Sequence, residues 1–198
     1  MQVQRKMMLV LTGLFIVILS AIVLGLMQEA RPEDARNVTI KIVVWLVYFC
    51  FEVKWDIQLN NILRTSVMLV LISDSFWGLY WNLYNTSSIF DKVQHVFGNY
   101  AFSLFAYSVI CQVSRPLIGR GFSFVFIVSL GLAIGALYEI GEFLGDTIMK
   151  PKMLSQPNLL DTDLDLIADM TGALMAAIHA KYISRKLYPG DEDLDKGD

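Results

Sequence analysis

The stretch that decides the fold reads YEIGEFLGD at residues 138–146 and DTDLDLIADMTG at residues 161–172. Acidic side chains end one apolar segment here and begin the next. Charged groups are costly inside a lipid bilayer unless they have a function or a partner. The stretch therefore predicts two membrane helices whose acidic ends meet at a site.

The composition of the whole chain indicates a polytopic membrane protein. Its 198 residues are 55% hydrophobic and have a mean hydropathy of +0.51. A transmembrane helix needs about 20 apolar residues, and residues 7–27 meet that length without a charge. We expect a single transmembrane helical domain over residues 1–190 and an acidic, disordered tail over residues 191–198. The chain has no phosphate-binding glycine loop, no nucleophile elbow and no nucleic-acid module.

The apolar runs predict an all-α bundle of about six transmembrane helices in the cell (plasma or inner) membrane. The candidate spans are residues 7–27, 38–53, 65–81, 95–113, 122–145 and 164–183. The second is short, and the sequence leaves open whether it crosses. If it does, both termini lie on a side that carries ten of the 16 Lys and Arg residues. The positive-inside rule then places the N and C termini in the cytoplasm.

Helical spacing gathers the polar residues on three stripes, because residues three and four apart share a helix face. The stripes are Asp91, His95 and Asn99 beside Gly98; Gly131, Gly135, Glu139, Glu142 and Asp146; and Asp165, Asp169, Gly172, Ala176 and Ala180. Small residues let membrane helices approach closely. We expect the stripes to face one another, and the polar ends to form a pocket that opens outward.

Several carboxylates in one low-dielectric pocket must take up protons, pair with cations or bind a metal. The nearby lysines, Lys92, Lys150 and Lys152, are expected in loops rather than beside the acids. We therefore predict a divalent metal ion, namely zinc, manganese, iron or magnesium. The expected ligands are His95, Glu139, Glu142, Asp165 and Asp169.

Other polar residues leave structural alternatives open. Asp74, Asp91, Asn99 and Asp146 are candidates for the same pocket. Asp91, Asp161 and Asp163 also suit helix N-termini, Asp146 the headgroup region, and His179 the cytoplasmic interface. Asp74, in the middle of a span, suits a proton relay or a protonated acid that is hydrogen-bonded to another helix.

These features favour a metal-dependent membrane enzyme that acts on a lipid or lipid-linked envelope substrate at the outer leaflet. His95 or Glu142 would be its general base. One alternative is a cation- or proton-coupled transporter that uses Asp74. Another is an accessory protein that binds a lipid-like or cationic small molecule without turnover. The sequence identifies membrane lipid as a partner and leaves the oligomeric state open.

Three short motifs carry a family resemblance: Asp91-Lys-Val-Gln-His95, Tyr138-Glu-Ile-Gly-Glu142-Phe and Asp165-Leu-Ile-Ala-Asp169-Met-Thr-Gly172-Ala. With these motifs, residues 91–180 resemble the small bacterial membrane proteins typified by YjdF and, more distantly, the VanZ-like family. The resemblance implies that His95, Glu139, Glu142, Asp165 and Asp169 are the family's polar signature. VanZ-like proteins tend to have Asn where Asp169 stands here. They are linked to glycopeptide resistance at the cell envelope.

Overall fold

The computed structural model describes residues 2–87, 89–114, 120–151 and 154–187. Within these ranges the chain is helical and has no strand, as predicted. The helices are α1 (Gln2–Gln28), α2 (Pro32–Lys54), α3 (Asn61–Ser73), α4 (Leu83–Thr86), α5 (Phe90–Ser114), α6 (Arg120–Met149) and α7 (Leu159–Leu187). The predicted tail, residues 191–198, and the predicted end of the domain at residue 190 lie outside the described residues.

Four of the helical segments are long and apolar enough to cross a membrane. They are Gln4–Gln28, Asn61–Tyr80, Phe90–Ser114 and Phe122–Met149. The 23 residues of α2 correspond to about 34 Å, which is longer than a bilayer core of about 30 Å. The count of six spans depends on α2 and α7, which carry more charge, and it stays a prediction together with the cytoplasmic termini.

The helices α5, α6 and α7 pack through small residues, as the stripes predicted. A Cβ atom on Gly172 would overlap the carbonyl oxygen of Val96 and lie 2.9 Å from the amide nitrogen of Tyr100. A Cβ atom on Gly131 would overlap Ala173. Such contacts require glycine, and they bring the backbones of the three helices close enough for short acidic side chains to meet.

The helices α1, α2 and α3 pack through larger apolar side chains. Trp45 of α2 lies 5.2 Å from Phe15 of α1, measured between ring centroids, and Tyr48 lies 4.7 Å from Phe105 of α5. These rings connect the N-terminal helices to α5. Exposed apolar side chains cover the outside of the bundle, as expected for surfaces that face lipid.

A buried ion pair joins α2 to α3. Arg64 Nη1 donates a hydrogen bond of 2.6 Å to Glu52 Oε2, and both side chains are at most 2% exposed. In the structure each charge neutralises the other inside the protein.

After Ser73, α3 continues as a π-helix over Asp74–Tyr80. Arg31, in the turn before α2, donates hydrogen bonds to the carbonyl oxygens of Leu79 (2.7 Å) and Tyr80 (3.1 Å). The last carbonyl groups of a helix have no backbone N–H partner within the helix. Arg31 supplies hydrogen-bond donors to two of these carbonyl groups at the end of the π-helix. The segment that carries Asp74 is thus fixed to α2.

Candidate functional site

His95 lies at the centre of the acidic cluster. Its ring is buried in α5, with the residue 7% exposed. The Nδ1 atom lies 3.2 Å from Asp169 Oδ1 of α7 and 3.8 Å from Glu139 Oε1 of α6. Ligand atoms of these three residues all lie within 4.8 Å of one another. We call His95, Glu139 and Asp169 the inner group.

The other nitrogen of His95 faces a second set of acids. Its Nε2 atom lies 3.7 Å from Asp91 Oδ1 and 3.6 Å from Asp165 Oδ1. Asp165 is 1% exposed, whereas Asp91 is half-buried. We call Asp91, His95 and Asp165 the outer group; their ligand atoms also lie within 4.8 Å of one another. The imidazole therefore joins two acidic groups, with one nitrogen facing each.

Lys92 corrects one prediction, because it lies in the first turn of α5 and not in a loop. Its Nζ atom donates hydrogen bonds to Asp161 Oδ1 (2.6 Å), Asp165 Oδ2 (2.8 Å) and Asp91 Oδ2 (3.0 Å). Its long side chain reaches the start of α7, which its sequence position does not reveal. The acids of the outer group therefore have a cation within the protein. Lys150 follows α6, and Lys152 lies outside the described residues.

Two carboxylate oxygens of the inner group have no hydrogen-bond partner among the described residues. They are Glu139 Oε1 and Asp169 Oδ2, in side chains that are 5% and 4% exposed by residue. Burying an unsatisfied polar atom is unfavourable, and more so when it is charged. The inner group therefore needs a proton or a cation that the described chain does not supply.

Neighbouring residues position the two acids of the inner group. Gln156 Nε2 donates hydrogen bonds to Glu139 Oε2 (2.7 Å) and to the Glu139 carbonyl oxygen (2.9 Å). On the other side, Asp169 packs against Gly135, where a Cβ atom would lie 2.7 Å from Asp169 Cγ. No motif or helical spacing selects Gln156, because it lies in a loop between two prolines.

The structure places the remaining predicted site residues outside these two groups. Glu142 is half-buried, one helical turn after Glu139. Asp146 accepts hydrogen bonds from the amide groups of Ser155 and Gln156, at 3.0 and 2.9 Å, and so holds the loop before α7. Asn99 donates to the carbonyl oxygen of Gly131 at 2.9 Å and thereby links α5 to α6.

Asp74 forms a separate polar cluster with α2. It pairs with Lys41 and accepts a 2.7 Å hydrogen bond from the hydroxyl of Tyr84. Burial, together with the nearby charge of Asp74, raises the pKa of Tyr84, which keeps its hydroxyl protonated as a donor. Lys41 thus turns inward and neutralises an acid at that depth.

His179 also has a partner that the sequence did not indicate. It forms a hydrogen bond with the hydroxyl of Tyr100, and the two rings are stacked with centroids 5.7 Å apart. This contact links α7 to α5. His179 thus has a packing role in addition to its expected position toward the interface.

Comparisons with known proteins give a family but no activity. A family model described as predicted membrane protein (DUF2238) matches residues 8–186. An uncharacterized protein of Thermotoga maritima is 33% identical over 125 residues, which cover 62% of this chain and 63% of that protein. No solved structure matches. The VanZ-like relation finds no support in these matches.

Proposed function

We propose that this chain, which belongs to the DUF2238 family of predicted membrane proteins, is an integral membrane protein that binds one divalent metal ion. The proposed ligands are His95, Glu139 and Asp169. The observation that carries the proposal is that Glu139 Oε1 and Asp169 Oδ2 are buried without a hydrogen-bond partner among the described residues. The same Glu139 atom lies 3.8 Å from His95 Nδ1, and the other oxygen of Asp169, Oδ1, is hydrogen-bonded to that nitrogen at 3.2 Å.

The spacing of the inner group suits a metal ion. Nitrogen and oxygen ligands lie about 2.0–2.2 Å from zinc, so two ligands of a tetrahedral site are roughly 3.4 Å apart. The distances from His95 Nδ1 to Asp169 Oδ1 and Glu139 Oε1, 3.2 and 3.8 Å, fall on either side of this value. Small rotations of the carboxylates would bring all three ligands to one ion.

The orientation of His95 supports the same proposal. A histidine that binds a metal through one nitrogen usually donates its other N–H to a carboxylate or carbonyl group. Here Nε2 faces Asp165 and Asp91, at 3.6 and 3.7 Å. In this proposal Asp165 orients the imidazole and is not itself a ligand, which revises its predicted role.

The donor set narrows the choice of metal. One imidazole and two carboxylates suit zinc, manganese, iron or magnesium better than a soft ion such as copper(I). Three protein ligands also leave a coordination position open, which is typical of catalytic rather than structural zinc sites. The proposed ion would therefore keep one coordination position for a substrate or a water molecule.

We infer further that the protein is a metal-dependent enzyme that acts on a lipid or lipid-linked envelope substrate. The ion would supply Lewis-acid chemistry. Glu142 is the preferred general base, because His95 is a ligand and Glu142 lies half-buried one turn beyond Glu139. Access from lipid is supported by Tyr138 and Phe143, which are 51% and 58% exposed beside these acids.

The transporter alternative has less support. A path for ions would have to continue through the bundle below the inner group. At that depth Gly131 is packed against Ala173, and Ser103 donates a 2.9 Å hydrogen bond to Asn99. This close packing favours binding or catalysis over conduction in the described part of the chain.

The proposal is tested by elemental analysis of the purified protein and of the E139A/D169A variant. The wild type should contain stoichiometric divalent metal, and the double variant should have lost it. Asp163→Asn is the matched control, because Asp163 is an exposed acid of α7 and its variant should keep the metal. A wild type without metal, after purification with zinc or manganese present, would contradict the proposal.

The enzymatic role needs a second variant. Glu142→Gln should retain the metal, because Glu142 is not a proposed ligand, and should lose turnover in a screen of lipid and lipid-linked substrates. Loss of metal in this variant would make Glu142 a ligand instead. Full turnover would remove it from the mechanism.

A further inference from the structure

Lys92 occupies the outer group in the way a metal ion would. We propose that Lys92 fills the outer half of a two-part cation site and thereby limits the site to a single metal ion. This inference rests on the proposed function, because it takes the inner group as the place where the one ion binds.

The outer group has the composition of a metal site in its own right. Asp91, His95 and Asp165 bring ligand atoms within 4.8 Å of one another. The Lys92 ammonium group lies 2.6–3.0 Å from one carboxylate oxygen of Asp161, one of Asp91 and both of Asp165. An ammonium group has three donors, so each of its N–H groups has a carboxylate acceptor.

Asp165 supplies independent support, because it is almost fully buried and its oxygens depend on Lys92. The residue is 1% exposed. Its Oδ1 atom lies 2.7 Å from Lys92 Nζ and 3.6 Å from His95 Nε2 but forms no hydrogen bond with any residue that the structure describes. Without the ammonium group, a buried carboxylate would be left beside two further acids with no cation, which is strongly unfavourable.

The balance of charge explains why a second metal ion would bind once Lys92 is replaced. Five carboxylates, those of Asp91, Glu139, Asp161, Asp165 and Asp169, surround His95 and Lys92. With a divalent ion in the inner group and Lys92 in place, they face three positive charges. Removing the lysine leaves two positive charges and empties a group of oxygen and nitrogen ligands next to the first ion.

The lysine would therefore determine how many metal ions the site holds. A second ion on Nε2 of His95 would displace the proton of that nitrogen to the solvent, and it would lie farther from the first ion than the about 3.5–4 Å found in two-metal hydrolases. An ammonium group has no open coordination position, and it supplies positive charge without binding a substrate oxygen as a metal does. The wild-type chain would thus work with one ion and a fixed cation beside it.

The test counts bound Mn²⁺ in the purified full-length chain after removal of metal and dialysis against Mn²⁺, by elemental analysis and electron paramagnetic resonance. The wild type and Lys92→Arg should bind one ion, and Lys92→Met should bind two that are magnetically coupled. The K92M/D165N variant, which loses one charge of each sign, should return to one ion. If Lys92→Met does not fold, Lys92→Gln gives the same comparison.

The outcomes separate this inference from the proposed function. One ion in both the wild type and Lys92→Met, or two in the wild type, overturns the role of Lys92 and leaves the inner site intact. No ion in the wild type refutes the proposed inner site. In that case one ion in Lys92→Met would still support Lys92 as a substitute for a metal, and none in either would refute both proposals.

Discussion

The contact between Gly135 and Asp169 offers a direct test of how tightly the inner group is built. In Gly135→Ala, the new Cβ atom would lie 2.7 Å from Asp169 Cγ and 2.8 Å from Asp169 Cβ, whereas ordinary contacts begin at 3.4 Å. The carboxylate, or α7 with it, must therefore move by at least ~0.7 Å. Misplacement of a reacting group by about 1 Å can cost 100-fold in rate.

We expect Gly135→Ala to weaken metal binding by about 10-fold to 100-fold, the range seen when groups that orient metal ligands are altered. Overpacking costs roughly 1–3 kcal/mol, and the higher helix propensity of alanine offsets up to about 1 kcal/mol of this. A 10-fold to 100-fold loss of affinity corresponds to about 1.4–2.8 kcal/mol, which is of the same order as this net cost in stability. The metal-free variant must therefore be shown to remain folded at the assay temperature, so that a lower affinity reports a distorted site and not a damaged fold.

The assay measures zinc affinity by competition with a chelating dye in detergent, beside thermal unfolding of the metal-free protein. Gly141→Ala is the matched control, because it lies on the same helix and a Cβ atom there meets no atom of the described residues within 4 Å. It should bind zinc as the wild type does. Wild-type affinity in Gly135→Ala would refute the reasoning, since Asp169 would then be free to move or would not be a ligand.

Three further predictions concern the fold. Arg64→Met leaves the Glu52 carboxylate buried without its cation and should lower the free energy of unfolding by about 3–5 kcal/mol. In a detergent unfolding assay, the E52Q/R64M variant should recover most of this loss. An equal loss in both variants would show that the ion pair itself stabilises the protein. Gly172→Ala places a Cβ atom against backbone atoms of α5, so it should separate α5 from α7 and lower the melting temperature more than Gly135→Ala does. The topology can be tested with single cysteines in place of the exposed residues Asp163 and Asp56, in a chain without native cysteines. The cysteine at 163 should react with an impermeant thiol reagent added outside the cell, and the cysteine at 56 only after permeabilisation. The reverse pattern would invert the predicted orientation.

Helical periodicity was sufficient to predict the contacts that depend on backbone position. Gly131 and Gly172 were expected at helix contacts, and both lie there because their backbones have no room for a side chain. The same spacing placed His95, Glu139 and Asp169 at one depth on helices that pack together. Each of these side chains is short or rigid, so its position follows closely from that of its helix.

The contacts that the sequence did not predict depend on the reach of long side chains and on loop conformation. The side chains of Lys41 and Lys92 each reach an acid on another helical segment. A lysine side chain is a flexible four-carbon chain, so its sequence position does not show the direction in which it extends. Gln156 reaches Glu139 from a loop that is itself held by Asp146. Periodicity carries no information about such a loop.

The pairing of the buried acids identifies where an external cation is needed. Among the described residues, Glu52 pairs with Arg64, Asp74 with Lys41 and Asp165 with Lys92. The two acids of the inner group have no lysine or arginine and share one imidazole. Even a protonated imidazole would balance only one of two carboxylates, so the inner group must still take up a proton or a cation. The other buried acids named here have a lysine or an arginine as their counter-ion. The inner group is therefore the place in the described chain where binding of an external cation is most favourable.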